Sequence, residues 1–279
     1  MTVSAFALIA GIALYFTQGG FKYNIDFTGG TSLRLKFDQP IEIAKLRSAI
    51  KEKGWDDSEI QLLNEAGTKG REVLVVVAGK TDRIEDEFTE KISTVFPENK
   101  MEIASIEHVG AQAGREVKIN AVLAVLLSLL MLLLYLAIRY QYAYALGAVV
   151  AVAHDLLAIS VYFLIFKEAV SLNVLAAMLA MLGYSVNDTI IIYSRIRENR
   201  TLMRGQPLID IVNKSINQTL RRTILTSFAT LLSVITLYLL GGEALRTISI
   251  TMIIGIIIGT YSSIYIASPV MLAFTKENS

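Results

Sequence analysis

Long stretches with almost no charge constrain this chain more than any other feature. Residues 119–138, 142–166, 172–193, 224–240 and 248–274 are apolar runs close to or beyond the roughly 20 residues that a spanning helix needs. Residues 2–16 form a shorter run with no charged side chain before it. It reads as a first spanning helix whose start is trimmed or lies at the interface. A cleaved signal peptide is the competing reading, and the missing basic segment counts against it. With 53% hydrophobic residues, the expectation is a polytopic α-helical membrane protein with six transmembrane helices.

Between the first two spans the character changes to that of a soluble domain with mixed charges. Leu33, Leu35 and Phe37 alternate as in a half-buried strand, while Ile43, Leu46 and Ile50 recur at helical spacing up to Gly54. Residues 59–64 and 72–78 read as two strands around a turn at Gly67 to Gly70. Asp82 and Glu85 resemble a capping box, after which Ile84, Phe88, Ile92 and Val95 line a second helix ending at Pro97. Met101, Ile103 and Ile106 suggest a less regular last strand. The order strand, helix, strand, strand, helix, strand predicts an α+β ferredoxin-like domain. The chain thus divides into a first span over 1–18, this domain over 19–114, and a five-helix membrane domain over 115–279.

Charge placement orients the spans. Arg195, Arg197, Arg200, Arg204, Lys214, Arg221 and Arg222 face only Glu198 and Asp210 in the loop 195–222, which predicts a cytoplasmic loop. The domain over 19–114 then lies outside the cytoplasm, although Arg115 and Lys118 mildly oppose this. Within the loop, Pro207 can start a helix with Leu208, Ile211, Val212, Ser215 and Ile216 on one side, read as a surface helix along the membrane. The net charge of +1 gives no support to a nucleic-acid partner. With no cysteine and only two histidines, disulfides and thiolate metal sites are excluded, a structural zinc is not expected, and nothing calls for a cofactor.

Polar groups on three spans form the candidate site. Asp188 sits among apolar residues, with Asn187 beside it and Tyr184 and Ser185 four and three residues earlier on the same face. An ionised group inside a span costs roughly 2.5 to 3.5 kcal/mol on insertion scales and calls for a partner or a polar path. Arg222, at the start of the following span, can reach inward to pair with it. Protonating Asp188 would release Arg222 and let the helices repack; the alternative is a static salt bridge that fixes register. His154 and Asp155 lie mid-span, but neighbours point about 100° apart on a helix and are not expected to face one site together. Asp155 is a second candidate proton-linked carboxylate, with His154 in support.

Five segments resemble one family. Residues 24–31, NIDFTGGT, are similar to its GIDFTGGT signature with Asn24 in place of Gly, and residues 109–117, VGAQAGREV, to its entry into the second span. His154 and Asp155 match an HD pair. Residues 183–199 resemble GYSxNDTxxxxDRxREN, with Ser194 where Asp is usual, and residues 215–227 resemble SxNQTLxRTxxTS. These are marks of the SecF family of bacterial protein-export membrane proteins, in the resistance-nodulation-division superfamily. The resemblance implies a non-enzymatic role in the bacterial inner membrane, pairing with SecD and assisting the SecYEG channel to move preproteins with the proton motive force. It also implies that Asp188 is the proton-linked carboxylate and Arg222 its partner. Two other readings are an exporter of small molecules or lipids, which would call for a second set of spans, and an intramembrane aspartyl protease using Asp155 and Asp188 together.

Overall fold

In the computed structural model, which describes residues 2–51, 59–63, 71–78 and 84–275, the chain divides into two compact units. One comprises Tyr23–Ala121 with Gly242–Ala244; the other comprises Met1–Lys22, Val122–Gly241 and Leu245–Ser279. Chain order is α1 (Thr2–Thr17), α2 (Ile25–Thr28), β1 (Gly30–Phe37), α3 (Ile43–Lys51), β2 (Glu59–Leu63), β3 (Glu72–Ala78), α4 (Ile84–Val95) and β4 (Met101–Val109). There follow α5 (Ala111–Arg139), α6 (Tyr142–Phe166), α7 (Leu172–Leu202), α8 (Leu208–Leu240), α9 (Gly242–Ser262), a π-helical turn (Ser263–Ala267) and α10 (Ser268–Phe274).

The first unit holds a four-stranded antiparallel sheet in the order β2-β3-β1-β4. Leu33, Leu35 and Phe37 of β1 meet Val73, Val75 and Val77 of β3 in a core closed by Leu46, Ile50, Phe88 and Ile92 from α3 and α4. The alternation and helical spacing in the sequence place these residues because each element buries one face. β4 looks irregular for a structural reason. Its register against β1 jumps between Arg34 and Leu35, so that Leu35 faces Ile103 but Leu33 faces Ile106. That β-bulge moves the inward positions from odd to even numbers. Gly54, the turn at Gly67 to Gly70 and Asp82 of the capping box lie outside the described residues.

Two glycines draw this unit's entry and exit together. Asn24 caps α2, its Oδ1 accepting from the Ile25 N–H at 2.7 Å, and the helix ends at Gly29 with φ 73°. A Cβ on Gly29 would lie 2.6 Å from the Ala111 Cα, and one on Gly114 would lie 2.8 Å from the Gly29 nitrogen. The segments 24–31 and 109–117 therefore pack backbone to backbone. Gly29 is required here by close approach and positive φ.

Among the described residues, five helical stretches are long and apolar enough to cross a membrane: α5, α6, α7, α8 and residues 245–274. This makes the chain a multi-pass membrane protein. α1, at 16 residues, is apolar but shorter. Only 11% of the most apolar stretch of α5 and of α8 is buried within the chain, against 44% for α6, α7 and the last span, so the latter three form the centre. The separate surface helix predicted after Pro207 is not formed. Leu208 begins a single helix of 33 residues that runs through the span, and Leu208, Ile211, Val212 and Ser215 are buried. The apolar side read from the sequence is real, but it covers other helices instead of lying on a lipid surface.

Candidate functional site

Among the described residues of the helical unit two carboxylates are buried, Asp155 on α6 at 4% exposure and Asp188 on α7 at 1%. Hydroxyl groups from neighbouring helices approach both. Ser185 Oγ of α7 donates to Asp155 Oδ2 at 2.5 Å, and Ser262 Oγ, at the end of α9, donates to the same oxygen at 2.8 Å. Asp155 Oδ1 lies 3.2 Å from His154 Nδ1. Hydrogen bonds to a charged acceptor contribute about 1.5 to 3 kcal/mol each, so donors from two neighbouring helices tie Asp155 to α7 and α9. Gly259 permits this approach of α9, since a Cβ there would sit 3.2 Å from the Ser185 Cβ.

Asp188 is placed differently. Its hydroxyl neighbour is Ser227 Oγ of α8 at 3.5 Å, longer than the roughly 2.5 to 3.0 Å of a good O–H···O bond. Ser227 Oγ is only 2.7 Å from Thr260 Oγ1 on α9, and Thr260 itself donates to the Ile256 carbonyl at 2.7 Å. A hydroxyl has one hydrogen. The single hydrogen of Ser227 is divided between Thr260 at 2.7 Å and Asp188 at 3.5 Å, so Asp188 has one long hydroxyl contact where Asp155 has two short ones. As an anion it would be nearly unsatisfied in a buried place, which costs several kcal/mol. As a neutral acid it has a proton to offer to Ser227. Simple donor counting thus separates two carboxylates that look alike in the sequence.

The other expected residues are dispersed. Arg222 is exposed and makes no ion pair with Asp188. It lies five residues before Ser227 on α8, roughly 7.5 Å along the axis. Asn187 is exposed and turned away from Asp188, while Tyr184 is half-buried with its hydroxyl unpartnered. His154 is buried against Asp155, with its ring 6.4 Å from that of Tyr261. The 100° offset did not separate these neighbours, because the imidazole turns back on the adjacent carboxylate. Among the described residues no cluster of three or more His, Asp and Glu could hold a metal ion.

Sequence reasoning missed Thr260 and Ser262 and did not single out Ser227. The signal was present as hydroxyls in an otherwise apolar last span. It is ambiguous because such groups commonly bond their own helix, as Ser249 does to the Leu245 carbonyl and Thr251 to that of Thr247. The helix around Ser262 is also irregular: the π-helical turn follows at once, before Pro269, which has no N–H to give. Tyr193 Oη donates to the Ala267 carbonyl within that turn at 2.9 Å, and Gly147 on α6 packs against both groups.

Beyond the carboxylates, α7 and α8 are clasped together. Asn199 Nδ2 donates to Ser215 Oγ and to Gln218 Oε1, each at 2.8 Å, and Arg195 Nε donates to the same Gln218 oxygen at 2.7 Å. Residues of the fourth and fifth sequence segments thus meet across two helices.

Comparison with known proteins adds to this geometry. Residues 87–277 match the family model described as protein export membrane protein SecD/SecF, C-terminal, and residues 16–41 match the SecD/SecF GG motif. The chain is 39% identical over 274 residues to the protein translocase subunit SecDF of Thermus thermophilus, covering 97% of this chain and 36% of that one. It is 37% identical over 273 residues to the protein translocase subunit SecF of Calditerrivibrio nitroreducens, covering 95% of this chain and 88% of that one. A crystal structure of SecDF, a translocon-associated membrane protein from Thermus thermophilus, superposes with a TM-score of 0.87 at 36% identity, over 98% of this chain and 37% of that one.

Proposed function

The chain belongs to the SecD/SecF family of protein-export membrane proteins, and on that premise we propose that it acts as a SecF-like subunit of protein export. It is a transport subunit and not an enzyme. In this reading it pairs with SecD, assists the SecYEG channel, and uses the proton motive force to act on a translocating preprotein. It sits in a bacterial inner membrane with six spans, counting α1. The ferredoxin-like domain over 19–114 lies outside the cytoplasm and the basic stretch 195–222 lies inside. The limited burial of α5 and α8 leaves apolar surface for a second membrane unit, as a pairing with SecD requires.

The observation that carries the mechanism is the unequal supply of donors to the two aspartates. Asp155 anchors α6 to α7 and α9. Asp188 is the carboxyl that cycles: neutral, it offers its proton to Ser227; ionised, it draws in Arg222 along α8, which shifts α8 against α7. One proton crossing 100 mV is worth about 2.3 kcal/mol, whereas moving an equilibrium from 1:99 to 99:1 takes about 5.5 kcal/mol. A second proton-linked carboxylate in a partner, or a pH gradient, supplies the remainder. The protease reading is disfavoured because each aspartate has its own hydroxyl partners and the two share no hydrogen bond.

The test is preprotein translocation into membrane vesicles with and without an imposed proton gradient. Asp188→Asn is expected to keep the gradient-independent rate and lose the stimulation. Equal stimulation in both proteins would remove Asp188 from the mechanism.

A further inference from the structure

Away from the carboxylates, the helical unit has a strongly cationic cavity of about 420 Å³ where α5 ends, α6 begins and α7 ends. It is lined by Arg139, Gln141, Tyr144, Arg197, Arg200 and Arg204, with a second chamber of about 370 Å³ sharing Arg139 and Arg197. Among the described residues, no ion pair within 4 Å is formed by any of the four arginines. The one carboxylate lining either chamber, that of Glu198, is engaged by Arg195 at 2.6 Å. Four guanidinium groups gathered around a cavity without a counter-charge repel one another, and an anion relieves that repulsion.

Independent features of the same cavity point to an anion that accepts hydrogen bonds. Tyr144 is 3% exposed, and its hydroxyl is buried without a hydrogen-bond partner. Leaving such a donor unmet costs about 1 to 3 kcal/mol. α6 begins beside it with Gln141 at the N-cap, making no side-chain capping bond, so the positive end of that helix is not capped from within. Tyr140 carries Arg139 and Arg197 near its ring, at 5.5 and 5.9 Å from the centroid, and its hydroxyl is 2.9 Å from Ser194 Oγ. These contacts set the guanidinium planes before any ligand arrives. Guanidinium forks match phosphate oxygens in pairs.

We propose that this cavity binds the phosphate group of an anionic phospholipid. A free phosphate would meet the same donors, but a lipid is favoured: Ile138, Tyr142 and Leu202, each next in sequence to a lining residue, are 87%, 66% and 71% exposed and offer apolar surface on which acyl chains can lie. The site is separate from the Asp188 network and does not depend on the role given to it. Its effect is to tie the ends of α5, α6 and α7 together at one lipid headgroup.

The test is native mass spectrometry of the full-length, delipidated protein in detergent. Phosphatidylglycerol, phosphatidylcholine and inorganic phosphate serve as the probes. The expected result is preferential retention of phosphatidylglycerol, which equimolar inorganic phosphate does not displace. The double variant Arg197→Gln/Arg200→Gln is expected to weaken retention by about tenfold or more, at roughly fivefold per basic residue near a membrane surface. Two milder variants guard against misfolding. Tyr144→Phe keeps the ring and removes only the unmet hydroxyl, and Ser194→Asp places a carboxylate in the second chamber; both are expected to lower retention. Lys214→Gln, an exposed charge on α8 outside the cavity, is expected to change nothing. Equal retention of phosphatidylcholine, displacement by inorganic phosphate, or a Lys214→Gln loss equal to that of the double variant would overturn the assignment.

Discussion

Replacing each buried aspartate by asparagine tests the donor count without changing side-chain size. In Asp155→Asn, the oxygen that accepts from Ser185 and Ser262 loses its charge, and the other oxygen becomes an amide that cannot accept. If Asn keeps both hydroxyl bonds as neutral ones, each falls from about 1.5–3 to about 0.5–1.5 kcal/mol. The sum is a loss of roughly 2 to 3 kcal/mol, with more if one bond breaks. In Asp188→Asn, the bond at stake is the 3.5 Å contact with Ser227, and the substitution removes a poorly satisfied carboxylate. Its net effect is expected to lie within about 1 kcal/mol of zero or to be stabilising, as removal of a poorly compensated buried charge often is. The assay is denaturant unfolding of the purified proteins in the same micelles at pH 8, followed by far-ultraviolet circular dichroism. Equal destabilisation by the two substitutions would refute the reasoning, because it would mean that the two carboxylates are equally well provided for.

Two glycine predictions follow from the packing. Gly147→Ala would drive a methyl against the Tyr193 hydroxyl and to 2.6 Å from the Ala267 oxygen, whereas a Cβ on Gly183 meets nothing within 4 Å. Gly147→Ala is expected to cost about 1 to 3 kcal/mol and Gly183→Ala to stabilise by up to about 1 kcal/mol, read by thermal unfolding in detergent; equal shifts would contradict the packing. Gly29→Ala, with φ 73° and the Ala111 backbone at 2.6 Å, is expected to speed amide hydrogen exchange in β1 by tenfold or more, equivalent to about 1.4 kcal/mol or more. Unchanged protection there would show that entry and exit are not held by this contact.

Much of the architecture was legible because burial imposes a period. Leu33, Leu35 and Phe37 declared a strand, and Ile43, Leu46 and Ile50 a helix, since only one face of each is covered. The uncharged runs declared the spans. The reading went astray where one pattern serves two environments. The apolar side of residues 208–216 fits a helix lying on lipid and equally the first turns of a span packed on its neighbours. No helix breaker between Leu208 and Leu240 separates the two, and the helix runs on unbroken.

The carboxylates themselves were plain in the sequence, because charge in an apolar run has few innocent explanations. Their difference was not. Ser185 lies three residues from Asp188 on α7, yet it serves Asp155 on another helix, and the second donor, Ser262, comes from more than a hundred residues away. Sequence spacing reports which groups share a helix face, not which helix that face meets. The same limit applied to Arg222, whose reach allowed a pair with Asp188 that this conformation does not make.

The central claim is that Asp188, and not Asp155, exchanges a proton as the protein works. Infrared difference spectroscopy of the protein in lipid vesicles, stepped between low and high pH, tests it most directly. The account predicts a protonated-carboxyl band that disappears on raising the pH, is retained in Asp155→Asn and is missing in Asp188→Asn. A band that survives Asp188→Asn and vanishes in Asp155→Asn would contradict it.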